Sequence, residues 1–189
     1  MLKGRCRHCS VKLSYRYPLF ELLTGLSFLL AFNKFGVSYQ CLIAMILTSV
    51  LIVISFIDID TMIIYDRFHF MILALGLIQI QINHTTIESS LIGMVIISIP
   101  YLILAITTQS IGGGDVKLTA SSGFLLNPKN TVLAFILSTL IGGIYGILLI
   151  VFKNAKHQDA IPFGPFLCIG IFTAFLYGDW IITAYLSLF

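Results

Sequence analysis

Seven apolar runs separated by short polar breaks occupy nearly the whole chain. They cover residues 17–32, 41–57, 68–82, 91–108, 115–126, 131–152 and 166–188. A spanning helix needs about 20 mostly apolar residues, and all but one of the runs approach that length. Each is apolar nearly all round, as a helix surrounded by lipid or by other helices should be. The breaks carry helix-stopping residues: Lys34 and Gly36 in 33–40, a polar stretch at 83–88, glycines at 112–114, Pro128 in 127–130, and the long polar loop 153–165. The pattern predicts an all-α fold, a polytopic membrane helical bundle of about seven transmembrane helices. No soluble second domain is expected.

The run 115–126 is the short one. A helix over it rises about 18 Å at roughly 1.5 Å per residue, against a hydrocarbon core about 30 Å thick. Either the helix starts below the interface or the bilayer thins there, and the first option recesses Asp115 in a protein-lined, water-filled cavity. Non-helical backbone such as a glycine run is tolerated at depth only in that setting.

Composition removes the soluble alternative. The 189 residues are 58% hydrophobic and 10% charged, where a soluble domain carries roughly 25% charged residues. A net charge of +3 is too small to argue for nucleic acid. Its distribution says more. Five of the eleven basic residues lie in the first sixteen positions: Lys3, Arg5, Arg7, Lys12 and Arg16. A secretory signal also starts with a basic segment. Here, however, several more apolar runs follow without a convincing small-residue cleavage site, so the N-terminus is expected to be retained. With that end in the cytoplasm and seven spans, the cytoplasmic side also receives Arg67, Lys117, Lys153 and Lys156. The far side receives Lys34 and Lys129. Nine basic residues against two supports this orientation over its inverse. The expected division is a cytoplasmic basic segment at 1–16 and a membrane-embedded domain at 17–189.

Against this apolar background two carboxylates stand out, Asp58 in FIDIDTMIIYD and Asp115 in IGGGDVKLTA. Ionisable residues at the edge of a membrane core are costly and are functional candidates by default. The predicted orientation puts Asp58, Asp66 and Asp115 all on the cytoplasmic side. Two carboxylates within about 3–6 Å of each other cannot both ionise easily. One then keeps a proton and the other acts as a base, which is the equipment for activating water and protonating a leaving amine. Asp115 alone could equally cap a helix after the turn of Gly112, Gly113 and Gly114. Asp58 sits at a helix C-terminus, where the macrodipole disfavours an anion, so no local rule accounts for it.

The remaining polar residues have simpler readings. Asp66 is expected as a helix N-cap, Asp60 as a solvated loop charge, and Glu21 as a partner of Arg16. Lys117 is expected either against a carboxylate or among lipid headgroups. His69 and His84 are expected at the interface, Cys41 and Cys168 as packed small hydrophobes. Gly142, Gly143 and Gly146 are expected to let helices approach.

Four segments in order give the chain a family resemblance: GRCRHC at 4–9 followed by RYPLFELLTG at 16–25, then FIDIDTMIIYD, GGGDVKLTA, and IPFGPFL at 161–167. Together they resemble the type 4 prepilin peptidases, membrane-embedded aspartic proteases. The resemblance implies that Asp58 and Asp115 are the catalytic pair, with Gly112, Gly113, Gly114 and Lys117 supporting the site. It implies removal of a short basic leader from prepilins or pseudopilins of type IV pili or secretion machines, at the cytoplasmic face of a bacterial plasma membrane. Proteolysis of this kind needs no cofactor. Many members then methylate the new N-terminus with S-adenosylmethionine. The chain departs from the family in lacking its extra N-terminal hydrophobic segment and first CxxC, as a short form would. That leaves methyl transfer open. It leaves Cys6 and Cys9 as an incomplete zinc site, since a structural zinc site takes four ligands. Tyr65 also stands where the family commonly has proline.

Two other readings of the residues remain. A small ion-coupled transporter could use Asp58 and Asp115, although coupling sites favour the midplane and repeat-related helices, and no internal repeat is visible. A catalytically idle assembly factor is the other. The residues leave the oligomeric state open.

Overall fold

The computed structural model describes residues 14–83, 85–108, 111–153 and 161–188. The basic segment with Cys6 and Cys9, apart from its last residues, and His84 lie outside them. Seven helices follow one another, with no strand among the described residues: α1 (Arg16–Phe35), α2 (Tyr39–Thr61), α3 (Asp66–Asn83), α4 (Ile87–Thr108), α5 (Gly113–Leu126), α6 (Pro128–Lys153) and α7 (Gly164–Leu186). The count agrees with the seven apolar runs, and most helices extend a few residues into the polar breaks. The helices α2, α4, α6 and α7 are long and apolar enough to cross a membrane.

Local chemistry sets the ends. Ser38 caps α2 by accepting the Cys41 N–H at 3.2 Å. Met62 closes α2 in the left-handed region, and its N–H returns to the Asp58 carbonyl at 2.8 Å. Pro128 opens α6, where a missing N–H is harmless. Inside the helices, hydroxyls donate to carbonyls one turn back: Thr48 to Ala44, Ser55 to Leu51 and Ser138 to Ala134. Polar side chains can thus be carried in an apolar bundle.

The short helix α5 is the centre of the bundle. It packs against α3, α4, α6 and α7, and Leu118, Thr119 and every residue of 121–126 are buried. With Leu47, Ile54, Ile72 and Ile171 it forms the main core. Protein rather than lipid surrounds it, so it has no need of a full span's length. The outside of the bundle is the reverse of a soluble protein. Leu26 and Leu29 of α1, Ile103 and Ile106 of α4, and Ile147 and Val151 of α6 are exposed, forming an apolar coat suited to a bilayer.

Glycines set the closest approaches. Gly93 of α4 and Gly123 of α5 face each other so tightly that a Cβ on either would enter the other's carbonyl. Gly170 of α7 lies the same way against Ser138 and Ala134 of α6. Of the three expected packing glycines, Gly142 touches Phe163 and Phe166, and Gly146 makes ordinary contact with Ile161. Gly143 faces open space, so the expectation fails there.

Several other expectations are corrected. The glycines at 112–114 are not an irregular segment: Gly112 is the N-cap of α5, and Gly113 and Gly114 are helical. Asp115 is therefore not a cap but lies in the first turn. Asp60 belongs to the last turn of α2 rather than to a loop, and it takes both Arg16 guanidinium nitrogens at 2.7 and 2.9 Å. Arg16 is thus committed to Asp60 and not to Glu21.

Candidate active site

Asp58 lies one turn before the end of α2 and is only 5% exposed. Its Oδ2 accepts the Gly164 N–H at 2.9 Å. Gly164 is the first residue of α7, so this N–H is one that the helix itself cannot use. It sits at the positive end of the α7 dipole. The last turn of α2 offers an anion nothing, and the first turn of α7 supplies what is missing. A Cβ at Gly164 would stand 2.6 Å from Asp58 Oδ2, so the contact requires glycine.

Asp115 enters from the first turn of α5, a position favourable to an anion. Its own N–H reaches the Gly112 carbonyl at 3.1 Å. The side chain is half-buried, and Oδ1 is shielded from solvent without a hydrogen-bond partner. Cys168 is buried one turn into α7. Tyr101 of α4 is buried beside Phe163, the residue before Gly164, with ring centroids 6.4 Å apart. Asp58 and Asp115 thus stand at helix ends that meet at one end of the bundle, where α2, α4, α5 and α7 come together.

Two further contacts bind the first aspartate segment to the second. Ile64 fills the space beside Gly114, where a Cβ would come within 3.0 Å of the Ile64 Cβ. The Lys117 ammonium reaches Asp66 Oδ1 at 2.6 Å, which decides between the two readings of that lysine. Asp66 was expected as an N-cap, but it is the first helical residue of α3 and its carboxylate is drawn across to Lys117 of α5. His69 corrects another expectation: it is buried rather than interfacial, and neither ring nitrogen has a partner. Cys41 and Cys168 are buried free thiols, as read. Among the described residues, no three His, Cys, Asp or Glu side chains gather as a metal site. The Cys6–Cys9 pair lies outside those residues.

Residues 45–147 match the type IV leader peptidase family, and residues 1–35 match the N-terminal domain of its bacterial members. The chain belongs to the type IV leader peptidase family. It is therefore a membrane-embedded peptidase. It is 34% identical to the prepilin leader peptidase/N-methyltransferase of Bacillus subtilis over 190 residues, 98% of this chain and 76% of that protein. Enzymes of the same name from Aeromonas salmonicida and Aeromonas hydrophila are 36% and 35% identical. The alignments cover 98% and 100% of this chain, and 66% and 67% of those proteins. No solved structure matches significantly. The sequence reading gave Gly164 no role. Its one signal was the segment IPFGPFL, noted only as a motif.

Proposed function

We propose that Asp58 and Asp115 are the reacting carboxylates with which this peptidase removes the short basic leader of prepilin-like substrates, at the cytoplasmic face of the plasma membrane. The observation that supports this reading is that two aspartates from different helices stand at helix ends brought together at one end of the bundle. One is held by a helix N-terminus, and the other keeps an unpartnered oxygen. In the reaction, the ionised carboxylate takes a proton from water as the water attacks the scissile carbonyl. The protonated one assists the carbonyl and then gives a proton to the leaving amine. The basic residues assigned to the cytoplasmic side support the orientation. A substrate with a basic leader would leave that segment in the cytoplasm and lay its following apolar helix along the exposed leucines and isoleucines of the bundle.

Methyl transfer after cleavage is a second activity, favoured by the names of the relatives. It would use S-adenosylmethionine as methyl donor. The described residues assign no groups to that step.

Cleavage of a prepilin-like peptide in detergent or liposomes tests the proposal. Asp58→Asn and Asp115→Asn should each abolish processing while the proteins remain folded, and Asp66→Asn should retain most of it. Near-full activity in either of the first two variants would sink the assignment. Complete loss in Asp66→Asn alone would move the reacting group to Asp66.

A further inference from the structure

Three polar breaks that hydrolysis leaves unused meet at the other end of the bundle. The last turns of α1, α3 and α5, the first turns of α2, α4 and α6, and the stretch 175–180 of α7 surround a cavity of about 150 Å³. Gln40 on its rim and Asp58 lie on the same helix, roughly 27 Å apart along the axis at about 1.5 Å per residue. The cavity is thus remote from the proposed reacting carboxylates.

Its lining is rich in unmet acceptors. Gln40 Oε1, Gln79 Oε1 and Asn130 Oδ1 are all shielded from solvent without a hydrogen-bond partner. Gln79 is 8% exposed and Asn130 is 7% exposed. The Asn130 amide cannot be turned round, because its Nδ2 donates to Asp179 Oδ1 at 3.1 Å and a carboxylate only accepts. Its oxygen is therefore committed as an acceptor. Gly178 makes room for it, since a Cβ there would stand 2.5 Å from Asn130 Oδ1. Asp179 adds a carboxylate to the lining. Lys34, the basic residue in the lining, has its ammonium over the Tyr177 ring, 5.6 Å from the centroid. The surrounding helix ends nearly cancel, three C-terminal against three N-terminal, so the side-chain oxygens set the character of the site. Orphaned buried acceptors are destabilising, and an occupant that relieves several of them at once must be a cation or a donor.

We propose that this cavity binds a hard divalent cation of the calcium type, held by Asp179 and the amide oxygens of Asn130, Gln79 and Gln40. Calcium accepts six to eight oxygens in flexible geometry, amide carbonyls included, whereas magnesium demands a near-ideal octahedron. With one carboxylate among neutral oxygens, the site binds calcium more weakly than the multi-carboxylate loops of calcium sensors.

Trp180 lines the cavity and is the chain's single tryptophan, which provides the readout. The full chain in non-ionic detergent is titrated with terbium(III), and terbium luminescence is followed under tryptophan excitation. Wild type should give sensitised emission that calcium removes. Asp179→Asn should weaken terbium binding at least tenfold. Gln79→Met, which keeps the volume without the amide oxygen, should weaken it several-fold and decides the matter if Asp179→Asn fails to fold. Absence of sensitised emission from wild type overturns the proposal, as does emission unchanged in the folded variants. The oxygens would then be met by water alone.

Discussion

Gly164 occupies a place that a larger residue could take only by moving Asp58. The main-chain N–H is 2.9 Å from the carboxylate, and a methyl group would stand at 2.6 Å. Gly164→Ala should therefore displace the carboxylate without removing any charge. Misplacements near 1 Å can lower rates by about 10², and a loss of that order in peptide cleavage is expected from a folded protein. A rate equal to wild type would show that Asp58 needs no fixed position. The aspartates themselves were legible in the sequence because a carboxylate in an apolar run has nowhere to hide. Gly164 was not, because it acts through an N–H that every residue except proline possesses. His69 was misread for a related reason. Its place beside a polar break predicted an interfacial side chain, and only the packing of α3 on α5 buries it.

At the scale of the helices, α5 explains both a success and a failure of sequence reading. Its existence followed from the apolar run, and its shortness pointed to an unusual setting. The setting is protein around its C-terminal half, where every residue of 121–126 is buried. Burial of Ser121 and Ser122 is tolerated because their hydroxyls donate to the carbonyls of Leu118 and Thr119, at 3.1 and 3.2 Å. The close crossing of α4 and α5 at Gly93 and Gly123 was invisible, since a glycine that admits a neighbouring backbone looks like any other until the neighbour is known. Gly143, expected to pack, faces open space. A paired test follows. Gly123→Leu should push α4 and α5 apart and lower stability by about 1–3 kcal/mol, the usual range for overpacking. Gly143→Leu should leave the unfolding midpoint nearly unchanged. Thermal unfolding in detergent measures both, and equal effects would refute the crossing.

For the whole molecule, the helical bundle was the most legible feature, because it rests on counts over many residues; the expected orientation rests on a count as well. Runs of fifteen or more residues in all cases but 115–126, and nine basic residues against two, are robust to an error at any one site. The orientation has a direct check. In a background with Cys6 and Cys9 replaced by serine, Gly113→Cys should react with a small thiol reagent applied from the cytoplasmic side. Tyr39→Cys should react from the opposite side. The reverse pattern would invert the molecule and place the proposed chemistry outside the cytoplasm. What the sequence could not supply was which loops meet, because contacts between distant segments depend on how the seven helices are arranged around α5.

The hydrogen bond that holds Asp58 joins residues 106 positions apart. The ribosome therefore finishes both aspartates long before it makes the N–H that fixes one of them. A nascent chain threaded into the bilayer as far as α6 carries the two carboxylates but no held one. The proposed site would be armed only when α7, synthesised after the other six helices described, takes its place. Unfinished peptidases would then be harmless to the membrane proteins made beside them.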